Sequence, residues 1–359
     1  MRSAPGALRT LFLRKGKMLT MPLTRNLAEL PTPAPLVDAA ILAANLARMA
    51  QAWPGQRLRP HVKAHKCTEL ARQQRASGHP GFTCATIREV EGMVVAGLGQ
   101  DLLLANEVLD ASRLGALVTA GARVTVAVDS PATVRAAQQA GLREVLIDVN
   151  VGLPRCGCSP EDAGSLAELA RGADLEVRGV MGYEGHTMLV SDRADRARQV
   201  ARSMALLEQA HEAVGGPVRS AGGTGSWDLN AFATELQAGS YALMDTAYTA
   251  IGVPFGQALT ILATVISVNP GGWAVADCGL KALGMDHGNP SLSDGSTVWF
   301  CSDEHIVFSP PDGQPLPVVG DQVRVLPAHV DPTMAYHERL YLVEGDRVLE
   351  AWPVDLRGW

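Results

Sequence analysis

The segment LRPHVKAHKC, Leu58 to Cys67, gathers two lysines, two histidines and an arginine into ten residues. It opens apolar and runs into TELARQQ, the start of a helical pattern. Read as a strand over 58–63, its alternation puts His61, Lys63 and His65 on one side. A lysine so placed is a candidate Schiff-base amine, because partial burial and cationic neighbours lower its pKa toward neutrality. Taken singly, a lysine in a basic turn is far more often a solvated surface residue. Two glycine-rich spots follow, SAGGTGS at 220–226 and AGSYALMD at 238–245. Each alone is weak, since turns need glycine anyway. LPAHVDPT carries His329 and Asp331 two residues apart, so in an extended chain both point the same way. An imidazole and a carboxylate make a minimal metal site. Spacing alone does not separate that from a turn in which Asp331 bonds backbone ahead of Pro332.

The elements that must position these residues alternate along the chain. Strand candidates are 58–63, 81–86, 101–106, 123–129, 144–150, 176–185, 218–225 and 235–245, with Ala-, Leu- and Arg-rich helical stretches between most of them. Such alternation means a parallel sheet, and eight strands point to a (β/α)8 TIM-like barrel. After about residue 255 short strands separated by Gly, Pro and Asp turns predict an antiparallel β domain. LPTPAPLVD, before the barrel, is expected to supply that domain with a strand. The expected division is a basic, disordered extension over 1–25, a barrel over 26–250, and a C-terminal β domain over 251–359 that carries the metal pair.

In a barrel, strand C-termini and the loops after them face the active site, and the loops after strands seven and eight often hold phosphate. Lys63 follows the first strand; the two glycine spots sit at the seventh and eighth. Amine and phosphate cup at one rim are what pyridoxal 5'-phosphate requires.

Composition closes other routes. The net charge of −6 gives no basic face for nucleic acid. No apolar run approaches the roughly 20 residues of a membrane span. Six irregularly spaced cysteines read as reduced thiols in a cytoplasmic protein. The first twenty residues hold Arg2, Arg9, Arg14, Lys15 and Lys17 and no acid. With a short apolar stretch and no cleavage site, a disordered extension, or a true start at Met18 or Met21, is expected over a targeting peptide.

RPHVKAHK closely resembles the cofactor-lysine segment of the fold-type III pyridoxal-phosphate enzymes related to D-threonine aldolase and eukaryotic-type D-serine dehydratase, whose fold is that of alanine racemase. The likeness continues in order through PTPAPLVD, NEV, IDVNVGLPRCG, GYEGH, SAGGTGS, ELQAGSY, DCGLKAL, DEH and PAHVDPT. It implies that Lys63 holds the cofactor, that Gly222, Gly223, Thr224, Gly225, Gly239, Ser240 and Tyr241 hold its phosphate, and that Arg155 stabilises the phenolic oxygen. Tyr183 is implied to touch the cofactor, as a catalytic or a packing residue. The aldolase branch binds its divalent metal at H-x-D, here His329 and Asp331. The dehydratase branch has cysteine at the second position and uses zinc. Carboxylate in place of thiolate favours Mn²⁺, with Mg²⁺ or Co²⁺ next and Zn²⁺ last.

The implied reaction is metal-dependent retro-aldol cleavage, through a quinonoid, of D-threonine and related D-3-hydroxy-amino acids to glycine and an aldehyde, with His186 of GYEGH as base on the β-hydroxyl. Some relatives, 3-hydroxy-D-aspartate aldolases among them, carry Tyr-x-Gly-x-Ala-Gln-His. Here the histidine comes three residues after Tyr183 and the later position is Leu189, which leaves the base and the β-substituent open. A D-serine or D-threonine dehydratase, a 3-hydroxy-D-aspartate aldolase, an amino-acid racemase and a cofactor-binding protein without activity are the rivals. His305 is expected near the metal or in a structural role, His287 and His337 on the surface. A homodimer is expected from the resemblance.

Overall fold

A computed structural model describes residues 26–359, and the expectations for the basic N-terminus lie outside the described residues. Seven parallel strands form one sheet in sequence order: Phe82–Cys84, Leu102–Leu104, Val124–Val128, Glu144–Asp148, Glu176–Gly182, Val218–Ala221 and Glu235–Leu236. Apolar, β-branched cores such as VTVAV are buried on both faces, as a parallel sheet covered by helices requires. Three of the helices between them start at side-chain caps: Thr86, Ser130 and Asp192 each accept from a backbone N–H in the first turn.

The eighth stave differs from the regular strand expected over 58–63. Leu58 bridges Leu236 of the last strand and His61 bridges Thr83 of the first, so single bridges close the ring. Between them Pro60 has no N–H to give a ladder, and Val62–Ala64 turns as a 3-10 helix. The last strand is also shorter than expected and gives way to a 3-10 turn at Ser240–Ala242. Close approach explains it: a Cβ on Gly239 would lie 2.5 Å from the His61 carbonyl oxygen.

The second sheet runs in the order Thr297–Cys301, Ile306–Ser309, Trp273–Ala276, Leu259–Asn269, Ala34–Asp38, Arg339–Glu344, Arg347–Pro353. The early strand Ala34–Asp38 therefore lies at its centre. It pairs antiparallel with Leu259–Asn269 but parallel with Arg339–Glu344, so this sheet is not wholly antiparallel. Its parallel partner is reached only after the whole barrel has been traversed, which leaves room for the long crossover a parallel pair needs. One hydrophobic cluster runs through both parts, from Val37 through barrel residues such as Val126 to Val325 and Leu356.

The face of the barrel opposite the lysine is closed by charge. Arg59, 4% exposed, donates to Glu235 and Asp101, each at 2.9 Å. Burial alone would lower the guanidinium pKa, and the two carboxylates reverse that. Arg59→Ala would strand the buried Glu235 carboxylate, while Asp101 keeps Arg178 at 3.6 Å, and we expect it to cost about 3–5 kcal/mol of stability. Urea unfolding would measure this; a midpoint equal to wild type would show that the triad contributes nothing net.

Candidate active site

Several chain segments meet at the C-terminal ends of the parallel strands. The first is the 3-10 turn Val62–Ala64, which carries Lys63 into a cavity of about 190 Å³. The Lys63 ammonium lies 3.0 Å from Asp331 Oδ1, with its side chain 42% exposed to the cavity. Asp331 Oδ2 accepts from Ser240 Oγ at 3.3 Å and lies 3.8 Å from His329 Nε2. The second segment thus brings His329 and Asp331 to Lys63, though not by strand alternation. His329 is extended and precedes the helix Val330–Tyr336, whose first turn contains Asp331. Asp245, fully buried, fixes that helix start by accepting from the Val330 N–H at 2.9 Å and the Tyr248 N–H at 2.9 Å.

The electrostatics differ from the expectation of cationic neighbours pulling the lysine down. Asp331 holds the Lys63 pKa above the ordinary lysine value, outweighing burial. Burial pushes Asp331 up, but Lys63 and then His329 overcome it and hold the carboxyl at about 2. His61 lines the cavity and is held well below the usual histidine range, by burial first and then by Lys63. His65 points away from Lys63: it is fully buried, its Nδ1 accepts from the Cys67 N–H at 3.1 Å, and burial brings it to about 4.

The third segment is the glycine loop after Val218–Ala221. Gly222 adopts φ +83°, which an L side chain rarely takes, and a Cβ there would strike Leu236 at 2.3 Å. Its N–H donates to Glu184, and the Gly223 N–H to Ser226 Oγ. Among the described residues the N–H groups of Thr224, Gly239 and Ser240 take no hydrogen-bond acceptor, and all three residues line the cavity. Gly225 and Tyr241 do not line it. A Cβ on Gly225 would lie 2.1 Å from the Met188 carbonyl oxygen. Tyr241 turns into the core, its hydroxyl accepting from Gln74 at 3.1 Å and its N–H donating to Thr224 Oγ1 at 3.0 Å.

The fourth segment pair brings Arg155 and Tyr183 onto the same wall, the guanidinium carbon 5.4 Å from the ring centroid. His186 does not line the cavity; it is exposed in the turn Gly185–Thr187, its ring against Gly152. His305 is exposed. His337 is partly buried, Nε2 at 2.9 Å from the Ala282 carbonyl oxygen, rather than on the open surface. His287 is exposed, as expected, and its ring stacks on His329, centroids 3.9 Å apart.

Sequence reasoning missed Glu184, Asp245, Tyr248, Gln237 and Asp286. Glu184 was inside a quoted motif, and a buried carboxylate beside a glycine loop has no spacing signature. It is fully buried and accepts from the Gly222 N–H at 3.1 Å, Ser226 Oγ at 2.7 Å and Asn230 Nδ2 at 3.0 Å. Glu184→Ala would orphan three buried donors, at about 1–3 kcal/mol each. We expect it to weaken pyridoxal-phosphate binding by roughly tenfold or more, measured by cofactor titration. An unchanged dissociation constant would mean that the loop holds its own shape.

The cavity therefore offers an amine, three open backbone donors and a guanidinium, which suits an anionic aldehyde cofactor. His329 and Asp331, converging on one space, suit a divalent ion. Comparisons with known proteins bear on the fold and the family. A family model described as alanine racemase, N-terminal domain, matches residues 37–246, and one described as putative serine dehydratase domain matches 258–343. The chain is 36% identical to a D-threonine aldolase of Arthrobacter sp, covering 93% of this chain and 94% of that one. It is 32% identical to a 3-hydroxy-D-aspartate aldolase of Paracoccus denitrificans, covering 92% and 93%. The crystal structure of a D-threonine aldolase from Filomicrobium marinum superposes with a TM-score of 0.88 at 34% identity, covering 94% of this chain and 98% of that one. The chain belongs to the alanine racemase-like, fold-type III family of pyridoxal-phosphate enzymes, in the group that includes the D-threonine aldolases and the D-serine dehydratase-like proteins.

Proposed function

We propose that the protein is a lyase that cleaves the Cα–Cβ bond of D-threonine and related D-3-hydroxy-amino acids, giving glycine and an aldehyde, with pyridoxal 5'-phosphate and a divalent metal. The observation that carries this is the meeting of Lys63, Asp331 and His329 at one cavity rim, the first pair 3.0 Å and the second 3.8 Å apart. Lys63 would hold pyridoxal phosphate, which when bound would supply an electron sink for chemistry at Cα. The N–H groups of Thr224, Gly239 and Ser240 would bind its phosphate, Arg155 would hold its phenolic oxygen, and Tyr183 would pack beside it. The Lys63 amine is placed to hold or move a proton at Cα. His329 and Asp331 would hold the ion, which would supply Lewis-acid activation of the β-hydroxyl. His186, expected as the base on the β-hydroxyl, is exposed against Gly152 and outside the cavity lining, so the hydroxyl proton is not assigned to it.

Asp331 supports a hard ion, Mn²⁺ before Mg²⁺ or Co²⁺, and so the aldolase over a zinc dehydratase. A homodimer belongs to the reading. Trp299 and Phe300 are exposed on the edge strand Thr297–Cys301, with the Trp273 ring tilted at 44° against Trp299, centroids 5.5 Å apart. Six unbridged cysteines support a cytoplasmic site; no described helix is long and apolar enough to cross a membrane.

The test is product analysis with D-threonine, before and after EDTA and again after added Mn²⁺. Glycine and acetaldehyde formed only with metal support the proposal. Ammonia and a 2-oxo acid would make the protein a dehydratase. Silence on D-threonine with cleavage of 3-hydroxy-D-aspartate would keep the reaction and change the substrate.

A further inference from the structure

We propose that Asp286 is a positioning residue for His329, one that selects the ring nitrogen offered to metal, and that His287 braces the same ring without being a ligand. This rests on the reading of His329 and Asp331 as the metal pair. Asp286, His287 and His329 bring potential ligand atoms within 4.8 Å of one another, so proximity alone would suggest a three-residue site separate from Asp331. The geometry argues otherwise. Asp286 Oδ2 lies 2.7 Å from His329 Nδ1, a hydrogen-bond distance. A carboxylate only accepts, so Nδ1 carries the proton and the lone pair is left on Nε2. Nε2 is the nitrogen that faces Asp331, at 3.8 Å from its Oδ2.

His287 cannot share an ion with His329 in this arrangement. Their rings stack at 3.9 Å with an interplanar angle of 14°. An imidazole binds metal in its own plane at about 2.0–2.1 Å. Two nearly parallel planes that far apart do not meet at one ion. His287 instead closes one face of the His329 ring, and Asp286 holds its edge. That is the second layer by which a metal-binding histidine is fixed in tautomer and orientation.

This register is set independently of the Asp286 and His287 side chains. Gly284 and His329 form an isolated antiparallel bridge, and the Gly284 N–H donates to Thr333 Oγ1 at 2.9 Å. Thr333 Oγ1 in turn donates to the His329 carbonyl oxygen at 2.6 Å. A Cβ on Gly284 would lie 2.3 Å from Pro332, so only glycine lets the two segments approach this closely. The loop carrying Asp286 is thereby pinned beside His329.

The experiment uses the full chain, loaded with pyridoxal phosphate and stripped of metal, titrated with Mn²⁺ and followed by electron paramagnetic resonance. Asp286→Ala is expected to weaken Mn²⁺ binding by roughly 10–100-fold, leaving the cofactor absorption and the melting temperature at wild-type values. Asp286→Asn, which keeps an acceptor oxygen, should recover most of that loss. His287→Phe, which keeps the stack and removes both nitrogens, should bind Mn²⁺ within about threefold of wild type. A wild-type affinity in Asp286→Ala would overturn the positioning role. A loss in His287→Phe as large as in His329→Ala would make His287 a ligand and overturn the arrangement. If wild type binds no Mn²⁺, or Asp331→Ala binds it as tightly as wild type, the metal-pair reading itself fails and takes this inference with it.

Discussion

Lys63→Ala is expected to lose the visible absorption of lysine-bound cofactor together with turnover, the latter by roughly three orders of magnitude or more. No other lysine among the described residues lines the cavity. The nearest rival in sequence, Lys66, is committed elsewhere: it pairs with Glu89, which is fully buried and also accepts from the Ala85 N–H at 2.6 Å. The phosphate donors and Arg155 stay in place, so the variant should still bind pyridoxal phosphate noncovalently, with the spectrum of a free aldehyde. Lys63→Arg is the useful companion, since it keeps a cation beside Asp331 but cannot condense with an aldehyde. Persistence of both absorption and activity in Lys63→Ala would remove the central assignment.

Asp331→Ala should separate the two cofactors. Turnover that depends on added metal is expected to fall by roughly 10²–10⁴-fold, the equivalent of several kcal/mol of lost charge stabilisation. The visible absorption should remain. A second effect follows from the pairing with Lys63. Asp331 is the largest influence holding the lysine pKa above its ordinary value. Without it the amine loses its proton at lower pH, because the charged form is no longer favoured by a neighbouring anion. Cofactor capture requires the neutral amine, so in Asp331→Ala its pH dependence should move to lower pH. Steady-state assays with and without chelator, alongside a pH titration of the absorption, measure the two effects separately. Retained, chelator-insensitive activity would sink the metal assignment.

The legible parts of this site were those whose chemistry sits inside one short segment. HVKAH, GGTG and HVD are each weak alone; strand–helix alternation places the first two at one barrel rim, and the family resemblance singles out the third. Local pattern failed where a close approach decided the backbone. The first stave looked like a strand, yet Pro60 and the packing of Gly239 against the His61 carbonyl make it a bridge and a 3-10 turn. Lys63 thus reaches the cavity from a turn, and His65 faces the core. Tyr241 looked like part of the phosphate cup, yet its side chain fills the core beside Phe255.

By itself, then, the sequence carried the fold class through its periodicity, which is a local property, and offered the lysine and the candidate metal pair through the resemblance of whole motifs. The tertiary structure alone decided what surrounds them. Lys63 and Asp331 are 268 positions apart, and no pattern in either segment states that a carboxylate will raise the lysine pKa rather than a histidine lower it. Glu184 beneath the glycine loop, Asp245 at the head of the helix Val330–Tyr336 and Asp286 behind His329 are each single acids in unremarkable contexts. Their roles come from burial and from which backbone amide or ring nitrogen the folded chain sets 2.7–3.1 Å away, and those distances exist only once both sheets have packed.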